Sequence, residues 1–305
     1  MTSFAIIGLG KMGANMARRL ARGGVRPVLF DQDAALTKGL ATELDCVGAP
    51  SVELAVSQLP GPRVVWLMLP SGQTTEDMVT QVQPLLQSGD VLVDGANSFY
   101  KDAVRRAASL RPLGVEFADA GVSGGVHGLA NGYCLMVGGS RAALALLRPY
   151  LQILAPAPDT GWLHTGPSGS GHFVKMIHNG IEYGMMQALA EGFAMLDAKQ
   201  EFKLDLAAVG ELWRHGSVVR SWLLDLTAGA LKQDATLAGI KPLVADSGEG
   251  RWTAQEAVEL GIPTPVMSLA LMMRFASQGQ DEFGAKLLAK MRQGFGGHSV
   301  PTQGG

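Results

Sequence analysis

The chain has 305 residues, of which 47% are hydrophobic and 17% charged, and its formal net charge is −2. This length suffices for two domains of ordinary size, and a charge so close to zero gives no general attraction for nucleic acid or for an anionic membrane surface. Two cysteines are too few for a disulfide framework; we find neither a signal-peptide pattern nor a membrane-spanning run, so a reducing, cytoplasmic location is expected.

A short apolar strand at residues 4–7 leads into a glycine-rich turn and then into an amphipathic helix that ends near Arg22. The turn consists of Gly8, Leu9, Gly10, Lys11, Met12 and Gly13. It has the GxGxxG pattern in the place that a dinucleotide-binding unit requires, between a strand and a helix. Free N–H groups at the start of such a helix hold phosphates. The pattern therefore predicts a dinucleotide site.

A second strand, residues 27–30, ends in Asp31, where a carboxylate can accept hydrogen bonds from the adenosine ribose. No arginine stands beside Asp31, and a carboxylate at this position repels a 2′-phosphate. We therefore predict NAD as the preferred cofactor, with NADP as a second choice. The alternative is that Asp31 only caps the next helix, 34–43, and that Arg22 or Lys38 serves a phosphate.

Strands and helices continue to alternate as far as residue 154. We expect strands at 46–47, 63–68, 91–94, 114–118 and 133–138, and helices from 51 onwards and at 74–86, 101–110 and 141–154. This alternation predicts a parallel, doubly wound Rossmann sheet whose ligands bind beyond the carboxyl ends of the strands. The loops expected there contain Leu69, Pro70, Ser71, Asn97 and the segment from Asp119 to Gly125. In that segment Ser123, Gly124 and Gly125 form either a plain turn or a nest of N–H groups for a carboxylate.

A long helix is expected from about Ser168 to Phe193, with Ser168 or Ser170 as its cap, and it is apolar on almost every side. Its polar residues Lys175, His178, Asn179 and Glu182 fall within roughly a 100° arc of one face. Buried charges are normally paired or functional. One interpretation is a structural Lys175–Glu182 ion pair beside a core histidine; the other is the polar lining of a wet cleft.

Beyond this helix only helices are expected, at 204–213, 221–230, 253–260 and 265–276. The predicted architecture is therefore an α/β N-terminal doubly wound Rossmann domain, residues 1–167, plus an all-α C-terminal domain, residues 168–305, built on the long inter-domain helix.

Three motifs resemble the β-hydroxyacid dehydrogenase superfamily: GLGKMG at Gly8, DAGVSGG at Asp119, and the glycine-rich entry to the helix with Lys175 and Asn179. More narrowly, the segment HFVKMIHNGIEYG is similar to 6-phosphogluconate dehydrogenase, as are DGANSFYKD and GEGRWTAQEAVELGIPTPV. The chain resembles the short, often NAD-using branch of that family, since the helical half of the common form is duplicated.

The chain departs from the family pattern at three places. Ala96 stands where glycine is usual, Ser247 stands where the long form has a phosphate-binding lysine, and Val126-His127 replaces an acidic pair. The replacement of that lysine by Ser247 puts part of the expected binding of the substrate phosphate in question.

The resemblance implies oxidative decarboxylation of 6-phospho-D-gluconate to ribulose 5-phosphate, a step of the pentose phosphate pathway, in a homodimer or homotetramer. It implies Lys175 as the base and Glu182 as the acid. A lysine acts as a base near neutral pH only if burial or a cationic neighbour lowers its pKa to roughly 7–8. The substrate residues implied are Asn97, Ser123, Gly124, Gly125, His178 and Asn179, with Tyr183, Arg274, Arg292 and His298 at the phosphate, the last two lent to a neighbouring subunit.

Two rival interpretations stay open. A dehydrogenase of a short hydroxyacid such as 3-hydroxyisobutyrate would need Lys175 and Asn179 but no phosphate residues. A redox sensor would bind NAD and a sugar acid without turnover. A metal site is not expected, because the six histidines show no ligand spacing. Ser123 is not part of a G-x-S-x-G elbow, which excludes a serine hydrolase of that type.

Overall fold

The structure is a computed structural model that describes residues 3–279 and 282–296. The chain divides into two compact units, Met1–Ile177 and His178–Gly305. The boundary falls inside the helix Ser170–Ala198, so this one helix contributes residues to both units. The predicted boundary at residue 167 lies just before the same helix.

The first unit is built on a seven-stranded sheet. Its strands are β1 (Phe4–Ile7), β2 (Val28–Phe30), β3 (Val64–Leu67), β4 (Val91–Asp94), β5 (Glu116–Ser123), β6 (Cys134–Gly139) and β7 (Trp162–Gly166). They lie in the order β2-β1-β3-β4-β5-β6-β7, and β1 to β5 run parallel. The chain order reverses between β1 and β3, which makes this the switch point where an α/β sheet binds its ligand.

Helices cover both faces of the sheet. They are α1 (Lys11–Arg22), α2 (Ala34–Leu44), α3 (Val52–Ser57), α4 (Gln73–Val82), α5 (Tyr100–Leu110), α6 (Gly128–Asn131) and α7 (Arg141–Leu154). Alternate residues of a strand enter different cores: Phe4 and Ile6 belong to one buried cluster, whereas Ala5 and Ile7 belong to the other. A sheet buried on both faces explains the continuous apolar runs of its strands. The doubly wound prediction is confirmed.

Four details of the sheet differ from the predictions. β6 runs antiparallel to β5, and β7 was not predicted at all. No strand forms at 46–47, where Gly48 makes only an isolated bridge to Leu29. β5 continues to Ser123, because its second half pairs with β6. Asp119 therefore lies within a strand rather than in a loop at its carboxyl end, which begins only after Ser123.

A buried ion cluster supports the loop after β4. Asp94 is 0% exposed and Arg106 is 1% exposed, and Arg106 Nη1 donates to Asp94 Oδ2 over 2.6 Å. The other carboxylate oxygen accepts the N–H of Ala96 over 2.9 Å. Arg106 also pairs with Glu76. Hydrogen bonds from Arg105, together with those from Arg106 and against the opposing effect of burial, lower the pKa of Glu76 to about 2.

The regular elements of the second unit are all helices among its described residues. Its helices are the C-terminal part of α8 (Ser170–Ala198), then α9 (Leu206–Trp213), α10 (Trp222–Gln233), α11 (Glu249–Leu260), α12 (Pro265–Ser277) and α13 (Glu282–Gly296). Phe193, Leu224 and Leu231 form the core of α8, α9 and α10. The all-α prediction is confirmed, with one addition: α13 was not predicted, and Arg292 lies on it rather than in an irregular tail. No described helix is long and apolar enough to cross a membrane.

Candidate active site

The glycine-rich turn has the geometry that its sequence predicts. Gly8 has φ +95°, and a Cβ on Gly13 would lie 1.9 Å from the Gly8 carbonyl oxygen, so only glycine lets α1 start this close to β1. A Cβ on Gly10 would meet nothing within 4 Å. The helix has no side-chain cap at Gly10. Open space above uncapped N–H groups is what a pyrophosphate needs, so the turn fits a dinucleotide.

Asp31 is fixed at the end of β2 by main-chain contacts. Its carboxylate accepts the N–H of Leu9 over 2.6 Å and the N–H of Asp33 over 2.9 Å. The cap of α2 is Asp33, which accepts the N–H groups of Ala35 and Leu36. The alternative in which Asp31 is only that cap is therefore wrong.

A cavity of about 650 Å³ opens beside Asp31, and Lys38 also lines it. Arg22, the other cation considered for a phosphate, donates to the carbonyl of Leu129. Asp31 and Lys38 thus line the same cavity.

Exchange of Asp31 for asparagine should raise the ratio of kcat/KM for NADP to kcat/KM for NAD by about ten-fold or more. The amide keeps an acceptor for Leu9 but removes the negative charge that repels a 2′-phosphate. Steady-state rates with both cofactors measure the ratio. Asp33→Asn, which removes the same charge from the same loop, is the matched control. An unchanged ratio in the Asp31 variant would show that the charge of Asp31 does not set the cofactor preference.

A crevice of about 280 Å³ joins the loops that follow β1, β3 and β4. Its lining comprises Gly10, Lys11, Met12, Gly13, Met68, Leu69, Pro70, Gly95, Ala96, Asn97 and Val122. Ser71 is exposed just beyond Pro70 and does not line the crevice. Loops predicted separately from the sequence therefore lie around one space in the first unit.

Asn97 is held in an unusual backbone conformation by β5. It has φ +52°, a left-handed value that asparagine tolerates better than most residues. Its Oδ1 accepts the N–H of Val122 over 2.9 Å, and its Nδ2 donates to the Val122 carbonyl over 3.3 Å. These two bonds tie the loop after β4 to the strand that ends in Ser123.

The segment after β5 has the backbone of an anion-binding turn. Gly124 has φ +124° and Gly125 has φ +51°, and a Cβ on Gly125 would meet nothing within 4 Å. Ser123 and Gly124 are half-buried, and Gly125 is exposed. These positive φ values are readily adopted only by glycine, which accounts for the two glycines after Ser123.

Lys175 lies on the part of α8 that belongs to the first unit. Its side chain is 5% exposed. A Cβ added to Gly121 would lie 2.3 Å from the Lys175 Cβ, so the stem of the lysine packs against the bare backbone of β5. Gly121 directly precedes Val122, which lines the crevice. Burial is the condition under which a lysine can act as a base.

Two residues near Lys175 were missed by the sequence analysis. Asp119, 0% exposed, accepts the N–H groups of Gly169 and His172 over 2.6 and 2.7 Å. It therefore caps α8, and the predicted serine caps are wrong. Burial raises the pKa of the Cys134 thiol, and the positive charge of Lys175 opposes that rise. The pairing of Cys134 with Ser123 across β5 and β6 could not be read from the sequence.

The second unit begins with the rest of the polar face of α8. His178 Nδ1 lies 3.1 Å from Asn179 Oδ1 and 3.7 Å from a Glu182 carboxylate oxygen. Asn179 is 9% exposed, whereas the His178 and Glu182 side chains are 36% and 37% exposed. With Lys175 they occupy positions 175, 178, 179 and 182 of one continuous helix, which is the spacing of a single face.

Tyr183 is the centre of a second polar group in this unit. The Arg274 guanidinium lies 3.5 Å from the centroid of the Tyr183 ring and donates to the carbonyl of Ala245 over 2.7 Å. Arg292 is exposed on α13. His298 lies outside the described residues.

Comparisons with known proteins identify the family. Residues 3–163 match the model described as the NAD binding domain of 6-phosphogluconate dehydrogenase, and residues 171–299 match the model of the 6-phosphogluconate dehydrogenase C-terminal domain. The chain belongs to the 6-phosphogluconate dehydrogenase family. It is 40% identical over 296 residues to the NAD(+)-dependent, decarboxylating 6-phosphogluconate dehydrogenase of Haloferax volcanii, with 97% of each chain covered.

Solved structures agree with this assignment. Plasmodium falciparum 6-phosphogluconate dehydrogenase, studied with NADP+ and with 6-phosphogluconate, has a TM-score of 0.83 and 29% identity. The match covers 99% of this chain and 66% of that one, so the chain spans about two thirds of the Plasmodium enzyme. Mycobacterium tuberculosis 3-hydroxyisobutyrate dehydrogenase has a TM-score of 0.72 and 24% identity, covering 92% of this chain and 94% of that one, which shows a shared fold.

Family membership makes the first unit an NAD-binding domain. Among the described residues, no group of three or more histidine, cysteine, aspartate or glutamate side chains is arranged to hold a metal ion.

Proposed function

We propose that the chain oxidises and decarboxylates 6-phospho-D-gluconate to ribulose 5-phosphate and CO2, with NAD as the preferred oxidant. The Haloferax relative carries this activity in its name and is covered almost from end to end. The observation that carries the proposal is the buried Lys175, whose stem packs against β5 beside the cofactor crevice. In this scheme residues 1–167 bind the cofactor, and residues 168–305 bind the substrate and a second subunit.

The substrate is held along its whole length by different groups. Ser123, Gly124 and Gly125 take the carboxylate, supported by the positive φ of both glycines. Asn97 contacts both the substrate and the nicotinamide. His178 and Asn179 bind substrate hydroxyls; the mutual contact of their side chains keeps them oriented.

Lys175 starts the reaction by taking the proton of the hydroxyl at the carbon β to the carboxylate. Bound at the glycine-rich turn and Asp31, NAD would supply the acceptor for the hydride of that carbon. The resulting β-keto acid loses CO2, because its carbonyl oxygen takes up the electron pair of the broken bond. Lys175, now an ammonium, donates a hydrogen bond to that oxygen and stabilises its negative charge.

Glu182 completes the reaction by giving a proton to the carbon that lost CO2. It lies two turns beyond Lys175 on the same face of α8, and its half-exposed carboxyl can recover a proton from solvent. One helix thus supplies a buried base and a more exposed acid, which suits two groups with different tasks.

Glu182→Gln is expected to lower kcat by about 10²-fold or more with little change in KM, because an amide cannot donate the required proton. Initial rates of NADH formation measure the effect. Glu191 lies on the same helix outside the polar face, and its carboxylate accepts a hydrogen bond from Gln187. Glu191→Gln should therefore keep the normal rate. If the Glu182 variant kept the normal kcat, another group would be the acid.

The phosphate end of the substrate is assigned to Tyr183 and Arg274, with Arg292 and His298 of a neighbouring subunit. A homodimer or homotetramer follows from this sharing. Exposed Phe283, Leu287 and Leu288 on α13 support an association of subunits near Arg292. The free thiols Cys46 and Cys134 support a cytoplasmic location.

A comparison of substrates tests the proposal. We expect NAD-dependent oxidation of 6-phosphogluconate and no comparable rate with 3-hydroxyisobutyrate. The reverse preference would select the short-hydroxyacid interpretation. Binding of NAD without turnover of either acid would select the redox sensor.

A further inference from the structure

A carboxylate is built into the polar group around Tyr183. The Ser247 hydroxyl donates to Glu249 Oε2 over 2.6 Å, and Ser247 Oγ lies 3.4 Å from the Tyr183 hydroxyl. Glu249 is 9% exposed. Tyr183 in turn lies under the Arg274 guanidinium. Four side chains therefore form one connected chain of contacts, with a cation at one end and an anion at the other.

This arrangement is poorly suited to a phosphate alone. A phosphate at neutral pH carries between one and two negative charges and presents mainly acceptor oxygens. Arg274 attracts such a group, but the Glu249 carboxylate repels it and offers it no hydrogen to bond. The repulsion is stronger because Glu249 is buried, where water screens it little.

The same residues suit an uncharged hydroxyl. A terminal alcohol can donate a hydrogen bond to the Glu249 carboxylate and accept one from the Tyr183 hydroxyl. Charge-assisted bonds of this kind are roughly twice as strong as neutral ones.

We propose that Glu249 sets the selectivity of this site between a phosphate and a hydroxyl, so that the enzyme also oxidises and decarboxylates the unphosphorylated six-carbon sugar acid. This inference rests on the proposed function, which assigns the phosphate end of the substrate to Tyr183 and Arg274. The chemistry is the same: a hydride passes to NAD, the bond to the carboxylate carbon breaks to release CO2, and a proton takes its place, which leaves an unphosphorylated ketopentose.

The test compares kcat/KM for 6-phosphogluconate and for D-gluconate, both at saturating NAD. The wild-type chain is expected to use gluconate with a kcat/KM within about 100-fold of that for 6-phosphogluconate. Glu249→Gln should raise the ratio of phosphorylated to unphosphorylated kcat/KM by about ten-fold, mainly through a lower KM for 6-phosphogluconate. The matched control is Glu259→Gln, which removes the same charge from the exposed C-terminal end of α11 and should leave the ratio unchanged.

If Glu249 only stabilises the first turn of α11 and holds Ser247, Glu249→Gln should change kcat/KM for both substrates by the same factor. Ser247→Lys is a second variant that remains informative if Glu249→Gln does not fold. It should also raise the ratio of kcat/KM for 6-phosphogluconate to kcat/KM for gluconate. An unchanged ratio in both variants, or a wild-type chain without gluconate activity, would overturn this inference and leave 6-phosphogluconate oxidation standing. A wild-type chain that fails to oxidise 6-phosphogluconate would overturn the proposed function itself.

Discussion

Lys175→Met is expected to lower kcat for 6-phosphogluconate by about 10³-fold or more and to leave the dissociation constant of NAD within about two-fold. Methionine has a similar length and an apolar tip, so it can occupy the buried space against Gly121 without carrying a proton. The cofactor residues described above lie on other elements of the first unit. Steady-state rates and a titration with NAD measure the two quantities.

Two further variants make this result specific. Lys175→Arg keeps a positive charge but cannot release its proton in a protein, so it should be as inactive as the methionine variant. Lys199→Met, just beyond the end of α8, removes an exposed lysine that pairs with Glu201 and should leave kcat unchanged. A methionine variant that kept more than a tenth of kcat would place the base elsewhere. A Lys175→Met variant that neither folds nor binds NAD would favour the interpretation in which Lys175 and Glu182 form a structural ion pair.

Arg106→Met is expected to lower the free energy of unfolding by about 3–5 kcal/mol, because it leaves the fully buried Asp94 carboxylate without its cation. The same carboxylate accepts the N–H group of Ala96, so the lost contact also frees the loop that leads from Ala96 to Asn97. Urea denaturation of the full chain, followed by circular dichroism, measures the change.

Arg105 is the natural control, since it is the neighbouring residue and pairs with the same Glu76. It is 56% exposed, so Arg105→Met should cost less than about 1 kcal/mol. The double variant Asp94→Asn with Arg106→Met should be more stable than Arg106→Met alone, because no charge is then left buried. Equal losses in the Arg105 and Arg106 variants would contradict the assigned role of the buried pair.

The sequence was sufficient wherever short-range chemistry decides the structure. Gly8 needs a positive φ, Gly13 needs close packing, and Asp31 follows a strand at the distance of a ribose contact. The polar face of α8 could also be predicted, because helical spacing alone brings residues 175, 178, 179 and 182 to one side. These features depend on residues close together in the chain.

Features that depend on distant partners could not be predicted. Asp119 reads as a loop residue, yet it is buried in β5 because the N–H groups of Gly169 and His172, 50 and 53 residues away, satisfy it. No residue of β7 is fully buried, and the segment forms a strand because it pairs with β6. The short run at Cys46 fails to form a strand, because its pairing with β2 is limited to one isolated bridge between Gly48 and Leu29.

The helix α13 was missed for a different reason. Its Gly284, Gly294 and Gly296 weaken its helix propensity, and its apolar residues Leu287 and Leu288 stay exposed in the single chain. The role of Glu249 was also missed, since its contact with Ser247 matters only once Tyr183 is placed beside them.

Oxidation and loss of CO2 are expected to occur on one substrate in one active site. The most direct measurement uses 6-phosphogluconate labelled with ¹³C at its carboxyl carbon and follows NADH and labelled CO2 together. We expect one labelled CO2 for every NADH, at a common rate, with both signals lost in Lys175→Met. NADH formation without labelled CO2 would contradict the account.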